Sequence, residues 1–63
     1  MSARMHPMAE GTIASASADA KMLSKALQGG DVPEAMVWLK RVILKLESAV
    51  EIERMHQKRE TGT

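Results

Sequence analysis

The chain of 63 residues contains no cysteine, phenylalanine or tyrosine, and only one tryptophan. Without cysteine it can form neither a disulfide nor a thiolate metal site. Its two histidines, His6 and His56, lie near opposite ends of the sequence. Domains of this size usually need a disulfide, a metal or a partner to be stable. The sequence therefore points to association, with itself or with another protein, and leaves no room for a large enclosed active site.

The charge and the apolar runs exclude further classes of protein. Nine Lys and Arg residues against eight Asp and Glu residues give a net charge of +1, which is not the basic footprint of a nucleic-acid-binding domain. The longest apolar stretch, residues 35–46, is interrupted by three cations and falls short of the ~20 residues of a membrane span. The N-terminus lacks the apolar segment of a secretory signal. We expect a cytoplasmic protein, which also suits the absence of cysteine.

Three segments follow one another along the chain. Residues 1–11 show no hydrophobic period and contain a proline and a glycine, so we expect a flexible arm. A first helix is predicted over residues 12–28, with Thr12 as its N-cap. Gly29 is expected to end this helix by adopting the left-handed conformation that C-terminal caps favour.

The second helix has the stronger start signal. Asp31 can cap it and Glu34, three residues later, can reach back, which is the spacing of a capping box. We predict a helix over residues 32–60, followed by a short tail at 61–63. The connector of Gly29, Gly30 and Asp31 is so short that the helices must be antiparallel neighbours, and the predicted fold is an all-α two-helix hairpin.

Heptad spacing predicts which residues close this hairpin. On the first helix they recur at steps of three and four, and on the second helix they fall on one side of a helical wheel. The predicted core is Ile13, Ala16, Ala20, Leu23 and Leu27, facing Leu39, Val42, Ile43, Leu46, Ala49 and Val50.

Other apolar residues lie off this predicted core. Two helices cannot bury both of their faces, and a large exposed apolar surface usually marks an interaction site. The predicted partner-binding residues are Ala18, Met22, Val37, Trp38 and Leu44. For Trp38 two interpretations stay open, packing within the hairpin and anchoring a partner, because tryptophan is enriched at interface hot spots.

The sequence contains no recognisable catalytic constellation. No histidine is spaced to activate a serine. Glu53, His56 and Glu60 share a helix face, but one imidazole with two carboxylates and no cysteine is a poor metal site. We expect no enzyme activity, no metal and no cofactor.

The turn and the second helix resemble a known family. Gly29-Gly30-Asp31 at the turn, then Val37-Trp38, then Leu46-Glu47-Ser48-Ala49 followed by an apolar residue are similar to the small E-type co-chaperones of type III secretion needles, the YscE/PscE/AscE family. The resemblance covers roughly residues 28–52. It implies a cytoplasmic hairpin that pairs with a tetratricopeptide-like co-chaperone, and through it keeps the needle subunit monomeric before export.

Two other interpretations remain at this point. Two hairpins could form a homodimeric four-helix bundle that acts as a regulator, although its cations interleave with glutamates and make RNA binding a poor fit. An antitoxin-like or anti-activator hairpin that blocks another protein fits the sequence as well. A homodimer could also form when a heterologous partner is absent.

Overall fold

Residues 4–60, which this computed structural model describes, form a hairpin of two helices. Helix α1 spans Pro7–Gln28 and α2 spans Val32–Glu60. The hairpin measures 49 × 19 × 12 Å. The predicted all-α hairpin is confirmed, and α2 has its predicted bounds. The predicted tail, 61–63, and residues 1–3 of the predicted arm lie outside the described residues.

Helix α1 begins five residues earlier than predicted. His6 is its N-cap, because its Nδ1 accepts a hydrogen bond of 3.0 Å from the backbone N–H of Met8. Pro7 occupies the first helical position, where its missing N–H costs nothing. Thr12, the predicted cap, lies inside the helix and donates its hydroxyl to the Met8 carbonyl at 2.9 Å. The prediction of a flexible arm is therefore wrong for residues 7–11.

Contacts with the far end of α2 explain this earlier start. The backbone N–H of His6 donates to Oε1 of Glu53 at 3.0 Å. The rings of His6 and His56 meet edge to face, with their centroids 5.2 Å apart. Ala9, in the first turn of α1, is fully buried. These contacts join residues more than forty positions apart, so no local pattern could show them.

The turn between the helices is a Schellman motif. The N–H of Asp31 donates to the Ala26 carbonyl at 2.9 Å, and the N–H of Gly30 donates to the Leu27 carbonyl at 3.1 Å. Gly30 has a φ of 72°, whereas Gly29 stays right-handed at −82°. The left-handed residue is thus Gly30 rather than the predicted Gly29, because Gly29 is the C-cap and keeps the right-handed backbone conformation of the helix.

Half of the predicted capping box forms at the start of α2. Oδ1 of Asp31 accepts a hydrogen bond of 3.1 Å from the N–H of Glu34, as the spacing predicts. The Glu34 carboxylate does not reach back to the cap. Its Oε2 instead accepts a hydrogen bond of 2.8 Å from Nε1 of Trp38, one turn further along the helix.

The helices meet along a seam whose buried residues are five alanines and one aspartate. Its spacing of three and four residues is that of a heptad, so it forms one line on each helix. Its buried members are Ala9, Ala16, Asp19 and Ala26 on α1 and Ala35 and Ala49 on α2; its half-buried members are Thr12, Leu23, Trp38, Val42, Lys45, Ile52 and His56. We call these residues the interhelical seam.

The interhelical seam differs from the predicted core. Ala16 and Ala49 are buried, and Ile13, Leu23 and Val42 are half-buried, as members of a core should be. For the other six residues the prediction is wrong, since all are exposed: Ala20, Leu27, Leu39, Ile43, Leu46 and Val50. Two helices touch along one line only, and here that line contains alanines, which let the helix axes approach closely. Leu39, Ile43, Leu46 and Val50 are left beside the line and stay exposed.

Candidate protein-binding surface

The exposed apolar residues of α2 form a continuous stripe beside the interhelical seam. They recur at steps of four, three, four, three and four residues, which keeps them on one side of a helix. The stripe is rotated about 80° from Ala35, Val42 and Ala49, at ~100° per residue. Its members are Val32, Met36, Leu39, Ile43, Leu46 and Val50.

Helix α1 contributes three residues to the same side of the hairpin. Ile13 lines a surface groove together with Leu46 and Val50, which fixes the side on which it lies. Ala20 and Leu27 follow Ile13 at intervals of seven residues and so share its side of the helix. Leu27 is 61% exposed. We call these three residues and the α2 stripe the apolar face.

The groove lies at the open end of the hairpin and has a volume of about 740 Å³. Five of the residues that line it are apolar, and the others have an acidic, a basic or an amide side chain. It is lined by Met5, Ile13, Leu46, Ala49, Val50, Glu53, Arg54, Gln57 and Lys58. Because Leu46 and Val50 belong to both, the groove continues the apolar face toward the ends of the chain.

The total surface shows how much area remains uncovered. The chain exposes 4962 Å², whereas the scaling law for folded monomers gives roughly 4,000 Å² at this mass. The excess of roughly 1,000 Å² is close to the ~800 Å² that each partner buries in a stable interface. The apolar face is the part of this surface whose burial would stabilise an association most.

The opposite edge of the interhelical seam is polar. Nζ of Lys45 donates hydrogen bonds to Oδ2 of Asp19 at 2.6 Å and to Oγ of Ser15 at 2.8 Å. Arg41 adds a longer ionic contact of 3.9 Å to the same carboxylate. This pair is not among the residues predicted from the sequence. A signal was present, because Asp19 and Lys45 each fall on a second heptad register, which also contains Ala16 and Ala49.

Trp38 lies on the polar edge of the interhelical seam. It is half-buried, donates to Glu34, and has the Arg41 guanidinium 5.0 Å from its ring centroid. A cation over an indole ring is electrostatically favourable. Both contacts are to residues of α2, so the two interpretations that the sequence left open for Trp38, packing within the hairpin and anchoring a partner, stay predictions.

The other predicted partner-binding residues are exposed but scattered. Ala18, Met22, Val37 and Leu44 all lie at the surface. Val37 and Leu44 share the back of α2 with exposed charged residues rather than forming a continuous stripe. The sequence predicts that these residues contact a partner, and the apolar face is the competing surface.

Glu53 is the centre of a polar cluster beside the groove. A hydrogen bond from Nε2 of Gln57, at 2.6 Å, is the main reason that the pKa of this carboxyl is lowered. The His6 N–H and the nearby imidazoles of His56 and His6 lower it further. Among residues 4–59, whose side chains the structure describes, no group of three acidic, histidine or cysteine side chains could hold a metal ion; the side chain of Glu60 lies outside them.

No protein-family model, curated protein or solved structure matches this chain. Neither helix, over the residues described, combines the length and apolarity needed to cross a membrane. The candidate site therefore rests on the geometry of the hairpin itself.

Proposed function

We propose that this chain is a protein-binding hairpin, a cytoplasmic co-chaperone of a type III secretion system. Its partner is a tetratricopeptide-like chaperone, and the pair keeps the needle subunit monomeric until export. The observation that carries the binding role is the apolar face, an unbroken exposed stripe along α2. The resemblance of the turn and α2 to the E-type co-chaperones supplies the identity of the partner.

The partner would cover the apolar face by helix-on-helix packing. Helical-repeat proteins present grooves between helices, into which an amphipathic helix places residues at steps of three and four. Leu39, Ile43, Leu46 and Val50 have that spacing. At ~25 cal/mol per Å², burial of ~800 Å² is a large gross free energy, of which only a part remains as affinity.

Co-expression with the genes that neighbour it tests this function. We expect the tagged chain to purify in a defined complex with an adjacent tetratricopeptide-type protein, and the complex to hold the needle subunit. Purification of the chain without either protein, from cells that express both, would refute the co-chaperone function.

Two adjacent residues offer a matched test of the surface. Ile43 on the apolar face is 46% exposed, and Leu44 on the back of α2 is 55% exposed. We expect Ile43→Glu to keep the helical circular dichroism spectrum and to lose the partner, while Leu44→Glu keeps both. The reverse pattern would assign the partner to the scattered surface around Val37 and Leu44.

A further inference from the structure

The charges that flank the apolar face constrain what can pack on it. Lys40 and Glu47 lie one heptad apart on the side of the α2 stripe away from α1. Both are exposed, and within residues 4–60 neither is in an ion pair. A partner helix that runs antiparallel to α2 would meet this row of alternating charge.

A second copy of α2 complements this row in one antiparallel register. When Ile43 faces Leu46 of the other copy, Leu39 faces Val50, and the apolar stripes overlap over most of their length. Flanking residues of antiparallel helices pair across the contact. In this register Lys40 lies beside Glu47 of the other copy, and the twofold axis repeats that pair.

The neighbouring registers lack this match. A shift of one heptad in one direction brings Lys40 beside Lys40 of the other copy. A shift in the other direction brings Glu47 beside Glu47, and Lys40 beside Arg54. Like charges across a contact are unfavourable, so the flanking charges select a single register.

We propose that, when its partner is absent, the hairpin forms a homodimer through the apolar face, in the register that pairs Lys40 with Glu47 of the second copy. The two hairpins form a four-helix bundle with an isologous interface. The broad side of the hairpin, 49 × 19 Å, is roughly the ~800 Å² per partner of a stable dimer. The homodimer and the heterologous complex exclude each other, because both cover Ile43.

Sedimentation of the purified chain over a range of micromolar concentrations measures this association. We expect a monomer–dimer equilibrium, and a monomer with unchanged helical content for Ile43→Glu. A chain that stays monomeric at all concentrations overturns the proposal, as does a dimer that Ile43→Glu leaves intact. Neither result bears on the co-chaperone function, which depends on the heterologous complex.

Charge reversal tests the register. Lys40→Glu and Glu47→Lys should each raise the dimer dissociation constant about tenfold or more, because each replaces two opposite-charge pairs by like charges, and the double variant should return it to within about threefold of the original. Glu51→Lys, on the back of α2, is the control and should leave dimerisation unchanged. Zero-length carbodiimide cross-linking should join Lys40 to Glu47 between copies. Failure of the double variant to restore the dimer overturns this register.

Discussion

Nζ of Lys45 lies 2.6 Å from Oδ2 of Asp19, on the polar edge of an interhelical seam whose other buried residues are all alanines. The Asp19 side chain is 11% exposed and that of Lys45 is 29% exposed. Such a pair adds little to stability when compared with apolar residues, but it fixes which residues face each other. The charge pair thus sets the register of α1 against α2.

Removal of one partner of this pair should destabilise the hairpin. Lys45→Met leaves the Asp19 carboxylate without its main cation, and we expect a loss of about 1–3 kcal/mol of unfolding free energy. Urea denaturation followed by circular dichroism, at one protein concentration, measures it. Lys21→Met, at an exposed position of α1, is the control and should change stability by less than about 0.5 kcal/mol. An equal effect of both variants would contradict a structural role for the pair.

The geometry of the turn predicts that alanine substitution has different effects on stability at its two glycines. Gly30 has a positive φ, so Gly30→Ala should cost about 1 kcal/mol of unfolding free energy. Gly29 is right-handed, and an added Cβ would lie 3.6 Å from the nearest atom, the Lys25 carbonyl oxygen. Gly29→Ala should therefore be neutral or slightly stabilising. If Gly29→Ala were the more damaging variant, the left-handed residue would be the one that the sequence predicted.

Substitution of Gly11 tests whether the start of α1 is helical. It lies inside the helix, and a Cβ added there would meet no atom within 4 Å. Gly11→Ala should stabilise the hairpin by about 0.5–1 kcal/mol, because alanine has less backbone freedom to lose on folding. Thermal denaturation would report it as a higher midpoint. No change would agree instead with a flexible arm over residues 1–11.

The buried residues of the interhelical seam are small, so replacement of one of them by a larger residue should lower the stability of the hairpin. Ala49 is buried, so Ala49→Leu forces the helices apart and should cost about 1–3 kcal/mol. Ala14 is exposed on α1, and Ala14→Leu is the matched control, with an expected change within about 0.5 kcal/mol. Equal tolerance of both substitutions, measured by urea denaturation, would place Ala49 outside the seam.

Glu53 predicts a loss of stability in acid. Its pKa is lowered in the folded chain by the Gln57 and His6 hydrogen bonds, so the folded state favours the ionised carboxyl. Its contribution is present above the unfolded pKa, near 4.5, and is lost as the pH falls through the lower, folded value. Glu53→Gln should therefore flatten the decline of unfolding free energy below pH 4.5. The control variant Glu51→Gln should keep the decline of the unmodified chain, and identical profiles for the two variants would contradict this contribution.

Local signals were sufficient for the elements of this hairpin. The two glycines, Asp31 as a cap and the heptad spacing on either side predict two antiparallel helices, and α2 has the bounds that they predict. These signals act over three to five residues, the range of capping and turn hydrogen bonds. The start of α1 depends instead on His6 meeting Glu53, and a contact at that separation leaves no local pattern.

The sequence predicted that the chain has a protein-binding surface, but it did not predict which residues form that surface. The absence of cysteine and the surplus of apolar residues indicate a chain that associates with another, and the structure does expose a wide apolar surface. Heptad spacing alone assigns Ile43 and Val50 to the core, because a helical wheel shows which residues share a side and not which line the partner helix touches.

The sequence by itself determined that there are two helices, their order, and the wide apolar side of α2 over residues 35–50, the apolar arc. Only the tertiary structure decided which part of that arc is buried. The close approach permitted by Ala16 and Ala49, together with the pairing of Asp19 with Lys45, directs α1 to the small residues. The larger residues of the arc, Leu39 to Val50, are thereby left exposed for a second chain.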